Sequence, residues 1–502
     1  MRSRLASRLQ LLTGGARDLP ARQQTLRDTI GWSHDLLDES ERRLFRRLAV
    51  FVGGFTLDAA QGVCDGADPL DFNPSAGLGQ AVLNSVASLV EKNLVRFEQS
   101  AKQPRYGMLE TIREYGLEQL RQVGEEATTR ARHQRWLLRL AENSAPLLTG
   151  VYSMAEFERL GAEIDNIREA LAWGRDTPTR PLTDRGAMES PAPSPLQAAV
   201  RLATATYFLW FWRGMLGEGR AWIEQLLSLD EASGELETSD RQLARMRALI
   251  TLGSLMYLSG DLESAGPLLA DGAARAVAAG DLIAQYQTLV IRGGVALMAG
   301  QLEQAMTLLD ESLLLAQAGA FPHLVMTSQY YLGEAALAGG DLDRAEALFD
   351  VVAAAARADD VTWATADALN GLARIASVRG DHVRAATLFR EGLPARIRLD
   401  DRFGQIVTLE SLAWDIAALG DAERAAVLLG ATAALRDRLG LGQASLGPAA
   451  KQREADLTAA RAALDAPTFD AAVNRGRLLS WANAIDLALQ EDDGLGVGTA
   501  LA

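Results

Sequence analysis

Residues able to do chemistry are few in this 502-residue chain, and they do not gather. Its three lysines are Lys92, Lys102 and Lys451, and none closes a Gly-x-x-x-x-Gly-Lys-Ser/Thr phosphate loop. Without that loop there is no backbone cradle for a triphosphate and no hydroxyl to anchor Mg²⁺. His34, His133, His323 and His382 lie far apart and lack metal-ligand spacing. Cys64 stands alone, which excludes an internal disulfide framework and fits a reducing, cytoplasmic setting. No nucleophile is paired with a base. The sequence therefore reads as a protein that acts by binding, not an enzyme, with no metal or cofactor of its own.

Two groups could serve binding. Arg42, Arg43, Arg46 and Arg47 make a basic patch on one helix, either a solvated face or a contact for an anionic ligand or acidic neighbouring domain. Trp210, Phe211, Trp212 and Trp222 form an aromatic concentration, read as a buried junction rather than a ligand cage. The net charge of −15 argues against polyanion binding by the whole chain, although residues 1–50 carry ten Arg against six acids. The uncharged run Ser312–Gly333 contains Gly, Pro and Gln and reads as two helix halves and a turn, not a membrane span.

The elements that must position any site come from a repeat. Gly260-Asp261, Gly300-Gln301, Gly340-Asp341, Gly380-Asp381 and Gly420-Asp421 stand 40 residues apart, with Ala265, Ala305, Ala345, Ala385 and Ala425 following in register. Twelve residues before each Ala is a small residue: Gly253, Gly293, Gly333, Ala373, Ala413. Four after it is a large one: Leu269, Leu309, Phe349, Phe389, Leu429. A fixed period of this size implies stacked units that cannot bury their apolar faces alone. Each unit reads as a helical hairpin with a Gly-Asp turn, the small residues allowing close helix approach. The pattern resembles the tetratricopeptide repeat, lengthened from its usual 34 residues to 40. The resemblance implies a right-handed superhelix whose first helices line a concave groove.

Carried onto this chain, that resemblance assigns two groove positions. One gives Ser254, Gly294, Glu334, Arg374 and Trp414; the other, one turn earlier, gives Ile250, Val290, Tyr330, Asn370 and Glu410. The candidate site is accordingly Tyr330, Glu334, Asn370, Arg374, Glu410 and Trp414, suited to a peptide or polar small molecule.

Ahead of the repeats, residues 31–125 read as three helices and a two-stranded wing. Asp38 with Glu41 forms a capping-box signature, Thr56 caps a short helix 57–64, and Gln80–Lys92 forms the third helix. Strands at 94–98 and 105–109 precede a helix capped by Thr111. This order is that of a winged helix, yet its third helix has too few cations for DNA, so a packing module is expected. Residues 1–30 are a helical tail, 126–175 a helical connector, and 176–196 a linker holding five of the 15 prolines. Residues 197–440 hold the repeats, regular from about 241; 441–490 cap them with helices at 449–464 and 468–489, and 491–502 is a tail. The fold class is mostly α, a winged-helix-like domain followed by a tetratricopeptide-like α-solenoid.

Several phrases resemble one family closely. Leu11-Leu12-Thr13-Gly14-Gly15-Ala16-Arg17, Trp32-Ser33-His34-Asp35-Leu36-Leu37, Leu44-Phe45-Arg46-Arg47-Leu48-Ala49-Val50-Phe51, Gly53-Gly54-Phe55-Thr56-Leu57 and Glu163-Ile164-Asp165-Asn166-Ile167-Arg168-Glu169-Ala170-Leu171 look like bacterial signal-transduction ATPases with numerous domains. Those include LuxR-type and antibiotic-regulator-type transcriptional regulators. The resemblance implies that residues 1–30 are the remnant of a nucleotide-binding module, and that the partners are an upstream or separate ATPase domain and a protein, peptide or small-molecule effector. Where the family's winged helix has a His and an Asp toward nucleotide phosphate, this chain has Leu109 and Glu110. Direct binding through the winged helix to DNA remains the alternative reading.

Overall fold

A computed structural model describes residues 26–64, 78–99, 104–144, 154–177, 193–235, 237–359, 361–439, 458 and 461–490. The expected N-terminal segment before 26, the Pro-rich linker between 178 and 192, the helix proposed at 449–464 (apart from 458 and 461–464) and the tail from 491 lie outside the described residues. The chain is mostly α-helical and falls into two compact units.

In the first unit, α1 (Leu26–Asp35), α2 (Glu39–Leu48), α3 (Leu57–Cys64) and α4 (Leu78–Glu91) lead to strands β1 (Arg96–Gln99) and β2 (Pro104–Gly107). The strands pair antiparallel, and Phe55 adds an isolated bridge to Tyr106, which completes the wing. Asp38 and Glu41 form the expected reciprocal capping box on α2, and Thr56 Oγ1 accepts the Ala59 N–H. Phe45, Leu48, Phe55, Leu89 and Leu120 are at the centre of one winged-helix core.

Three local expectations are corrected. The strands are shorter than expected because Asn93 takes a left-handed turn and the Leu94 and Val95 N–H groups bond back to Leu89. Helix α5 (Glu110–Gln122) is entered through Leu109 with no side-chain cap, so Thr111 is not its cap. Helix α1 runs through the 30/31 position taken as a domain boundary.

Helices α6 (Glu126–Ser144), α7 (Met154–Gly161), α8 (Ile164–Asp176) and α9 (Pro195–Ala205) follow. The Glu163–Leu171 phrase here acquires a structural meaning. Asn166 Oδ1 accepts the N–H groups of Val52 (2.8 Å) and Gly53 (3.3 Å), while its Nδ2 donates to Gly54 O and Glu163. Arg105, from the wing, donates to Glu163 at 2.6 Å and to the carbonyls of Gly53 and Gly54. One buried amide and one ion pair thus fasten the Gly53-Gly54 turn and the wing to α8.

Helices α10 (Tyr207–Trp212) and α11 (Leu216–Ala232) precede five hairpins in the second unit. These are α12 (Ser239–Ser259) with α13 (Leu262–Ala279), α14 (Leu282–Met298) with α15 (Leu302–Ala318), and α16 (Pro322–Ala338) with α17 (Leu342–Ala358). Then come α18 (Thr362–Val378) with α19 (His382–Arg398), and α20 (Arg402–Ala418) with α21 (Ala422–Leu439). The second helices begin at 262, 302, 342, 382 and 422, the 40-residue step read from the sequence. Each turn glycine has positive φ, which a side chain would strain. Asp261, Asp341, Asp381 and Asp421 each accept the backbone N–H three residues on.

The small-against-large seam is explicit. A Cβ on Gly253 would sit 2.7 Å from Leu269, on Gly293 2.8 Å from Leu309, and on Gly333 2.8 Å from Phe349. All five anchor alanines are fully buried. The C-terminal cap differs from expectation: α22 (Ala466–Leu478) and α23 (Trp481–Leu489) are separate because Ser480 caps a new helix. Gly430 and Gly476 let α21 and α22 cross in backbone contact.

Two outcomes follow from this packing. Gly333→Leu should overpack the Phe349 seam and cost about 1–3 kcal/mol; an unchanged melting curve would remove the seam from the account. Asn166→Ala should leave the part-buried N–H groups of Val52 and Gly53 without their acceptor and cost about 1–3 kcal/mol by denaturant titration. A loss below roughly 0.5 kcal/mol would show that the amide is dispensable.

Candidate functional site

The turn geometry that fixes each hairpin also decides where the assigned groove residues go. Arg374 Nη1 on α18 donates to both carboxylate oxygens of Glu334 on α16, each at 2.8 Å, and the pair remains partly open. Their sequence separation is one repeat, so equivalent faces of successive first helices adjoin. Tyr330 lies one turn before Glu334, and its phenol feels the Glu334 and Asp367 carboxylates.

The other members are placed differently. Asn370 is buried and its Nδ2 donates to Thr408 at 3.1 Å. Glu410 is buried against α21, accepting from Arg436 at 2.9 and 3.0 Å. Ile250 and Val290, at the same repeat position, are buried as well. In these four repeats the position faces a seam between helices, so Asn370 and Glu410 are held inside the packing, whereas Tyr330 at the same position stays part-exposed. Trp414 is half-buried, its ring edge-on to His382 at 6.3 Å.

Three further tyrosines, Tyr207, Tyr257 and Tyr331, belong to the surroundings of Tyr330, Glu334 and Arg374. Burial raises the phenols of Tyr207, Tyr257, Tyr330 and Tyr331, which also act on one another electrostatically: Tyr331 on Tyr257 and Tyr207, and Tyr257 on Glu334. All four side chains keep partial exposure, and no phenol oxygen of theirs has a hydrogen-bond partner among the described residues. By contrast Tyr286 is tied to Leu324 O at 2.8 Å. The Tyr257 hydroxyl lies over Gly294, 2.7 Å from where a Cβ would stand, so a groove position lacking a side chain receives its neighbour's ring. The carboxyl of Asp367 is pushed up to about 6, by burial first, with Arg396 opposing. Arg396 bridges Asp367 and Asp401, each at 2.7 Å. Three carboxylates therefore face two guanidinium groups.

The array also meets itself. Phe211 of α10 contacts Phe403 of α20 (6.2 Å between rings), Arg213 reaches Asp400 at 3.8 Å, and Gly214 packs on Leu439. The lead-in helix, which carries Tyr207, thus touches the fifth hairpin. Sequence reasoning missed Tyr207, Tyr257 and Tyr331. Tyr331 adjoins the assigned Tyr330, and Tyr257 lies one turn after Ser254, so adjacency to the groove positions was the available signal.

Elsewhere the chemistry-bearing residues are engaged. Arg46 and Arg47 pair with Glu125, at 3.3 and 2.8 Å, so half of the basic patch is an internal contact rather than a solvated face or an open anion site. Lys92 binds Glu41 at 2.7 Å. His133 is neutral in the core, its pKa lowered to about 3 by burial, with Phe51 edge-on at 4.8 Å. A cleft of about 200 Å³ on the winged helix is lined by Thr29, Ser33, Lys92, Asn93 and Leu109 among others. Among the described residues no group of His, Cys, Asp and Glu is arranged to hold a metal, and no helix is long and apolar enough to cross a membrane.

No family model matches the chain. Over 243 residues, 48% of the chain, it is 38% identical to a Mycobacterium tuberculosis protein named "Putative HTH-type transcriptional regulator", of which it covers 24%. Over 133 residues it is 41% identical to an uncharacterized protein of the same organism, covering 26% of this chain and 32% of that one. The chain thus spans a quarter to a third of the curated relatives it matches. Among solved structures, a signal-transduction ATPase with a tetratricopeptide repeat sensor from Pyrococcus horikoshii aligns with 92% of the chain and 65% of its own, at TM-score 0.41 and 14% identity. A Rap protein complexed with competence and sporulation factor aligns with 68% of the chain and 99% of its own, at TM-score 0.40 and 14% identity.

The arrangement makes a distinct prediction. Arg374→Ala should leave Glu334 an unpaired carboxylate in a crowded interior, lowering stability by about 1–3 kcal/mol. The double change Glu334→Ala with Arg374→Ala should recover part of that loss in a double-mutant cycle. Strict additivity would mean that the pair is not coupled.

Proposed function

We propose that this chain is the sensing and interaction part of a transcriptional regulator, binding a peptide or polar small molecule within its repeats. The observation that carries the reading is the part-open Glu334–Arg374 pair with the Tyr257 and Tyr330 phenols acting on it, both without a hydrogen-bond partner among the described residues. Phenols offer flat apolar faces and a hydroxyl that both donates and accepts, which suits ligands with mixed polar and apolar surface. The excess of one carboxylate favours a neutral or cationic ligand. The transcriptional role rests on the names of the mycobacterial relatives and on the phrases shared with signal-transduction ATPases. In this reading a nucleotide-binding domain, upstream or separate, is the partner that transmits the signal in the cytoplasm.

The second reading has the winged helix bind DNA directly. Helix α4 contains no Lys or Arg, and Lys92 just beyond it is occupied by Glu41. Duplex DNA would find few phosphate-neutralising groups there.

Two experiments separate the readings. Thermal-shift screening of the whole chain against peptide and metabolite libraries should yield a stabilising ligand. Its affinity should fall about tenfold or more in the variant carrying Tyr257→Phe, Tyr330→Phe and Tyr331→Phe, which removes only hydroxyls. Unchanged affinity in that variant, and in one with Tyr330, Arg374 and Trp414 all changed to Ala, would move the site elsewhere. Gel-shift assays at physiological salt should show no sequence-selective binding; a salt-sensitive, selective complex would favour the DNA reading.

A further inference from the structure

The five hairpins provide their own internal comparison. In the second, Leu297 and Leu302 pack with Ala335 of the next first helix in one apolar cluster. In the third, Leu337, Leu342 and Ile375 repeat the arrangement. The equivalent trio in the fourth, one period later, is Ser377, His382 and Asp415. All three positions of an apolar joint have become polar together.

The replacements contact one another. Asp415 is fully buried, and one of its oxygens accepts from the Ser377 hydroxyl at 2.8 Å and lies 2.8 Å from His382 Nδ1. Its second oxygen is buried without a partner among the described residues. His382 remains a quarter exposed and its ring abuts Trp414. The surroundings are apolar: Ala376, Ala386, Leu412 and Ile416 belong to the core cluster here.

We propose that Ser377, His382 and Asp415 form a proton-sensitive joint between the fourth and fifth hairpins, closed when the Asp415 carboxyl is protonated and loosened when it ionises. An ionised carboxylate with one orphan oxygen in an apolar seam is costly. Protonation removes the charge, and a neutral carboxyl is far better tolerated there.

The charged groups around the joint leave this carboxyl to its own pair. Helix α18 presents Ser377 and α19 presents His382, both within hydrogen-bond reach of Asp415. From α21 and α23, Arg424 donates to Leu487 O and Gln490 O instead. Arg390 of α19 donates to Ala488 O, and Arg213, beside α10, reaches Asp400. Burial pushes the carboxyl up to about 6 from its ordinary 3.8, with His382 and Ser377 opposing. The folded state therefore holds a proton that the unfolded chain has released between those values. Its stabilising contribution is complete below about pH 4 and is lost as pH rises through about 6.

The test uses the full chain and the variant Ser377→Leu, His382→Leu, Asp415→Ile, which installs the third hairpin's own trio. Between pH 5.0 and 7.5 the wild-type melting temperature should fall by about 3 °C more than that of the variant. Hydrogen exchange in α19 and α20, corrected for intrinsic rates, should quicken several-fold over the same interval, while α14 and α15 stay unchanged. Asp415→Asn, which keeps the shape and cannot ionise, should also flatten both responses, and it decides the matter where the triple variant does not fold. Equal pH slopes in wild type and Asp415→Asn would overturn the proposal.

Discussion

The repeat array depends on one steric bargain: a small residue in the first helix of each hairpin faces a large one in the second. With glycine at 253, 293 and 333, the helices close until Leu269, Leu309 and Phe349 fill the space that a Cβ would occupy. That distance fixes the hairpin, and the hairpin fixes the offset to the next. An error at one seam would be copied into the placement of every later helix. Burying each large side chain contributes about 1.5–3 kcal/mol, but the geometric consequence extends further, because the proposed interior site draws residues from α10, α12, α16 and α18.

That interior shows how a repeat can carry a site without breaking its own rules. The small-large seam occupies one face of each first helix, and the adjoining face is left free to vary. Gly294 and Tyr257 illustrate the exchange: one hairpin gives up a side chain, and its neighbour's ring takes the space. Glu334 and Arg374 illustrate the other device, in which consecutive repeats supply the two halves of one ion pair. The winged-helix unit uses a different strategy. There a single amide, Asn166, satisfies successive backbone groups of the Gly53-Gly54 turn, so a short phrase in α8 holds a loop more than a hundred residues earlier.

The hairpins were legible because their cause is local and periodic. Gly-Asp turns, Asp caps and buried alanines follow from backbone rules that act within a dozen residues. The capping box at Asp38–Glu41 was legible for the same reason. The site was legible only in part. Alignment placed Glu334 and Arg374 side by side, but it could not tell whether a position faces a groove or a seam, since a rotation of one residue about a helix, ~100°, exchanges the two. Asn370 and Glu410 were lost to that ambiguity. Tyr207 escaped because its placement depends on α10 meeting the fifth hairpin, a contact between residues almost 200 apart that no periodicity encodes. Ser480 ended a helix that composition alone would have continued.

The departures from periodicity are themselves informative, since a regular apolar repeat is the cheapest way to stack hairpins. The early repeats keep to it: Leu255, Ile250 and Val290 are buried and aliphatic. Polar replacements accumulate later, with Asp367–Arg396–Asp401, Glu410–Arg436 and Ser377–His382–Asp415 all inside the fourth and fifth hairpins. Buried ion pairs roughly break even against apolar packing at best, and a carboxylate with an orphan oxygen does worse. The later hairpins keep an apolar core around Phe389, Leu393, Leu409, Leu412 and Ile416, and these polar groups are set into that packing. The fifth of these hairpins is also the one that α10 touches. The part of the array that meets the lead-in helix is thus the part into which most of these buried polar groups are set, next to the Glu334–Arg374 pair of the proposed site.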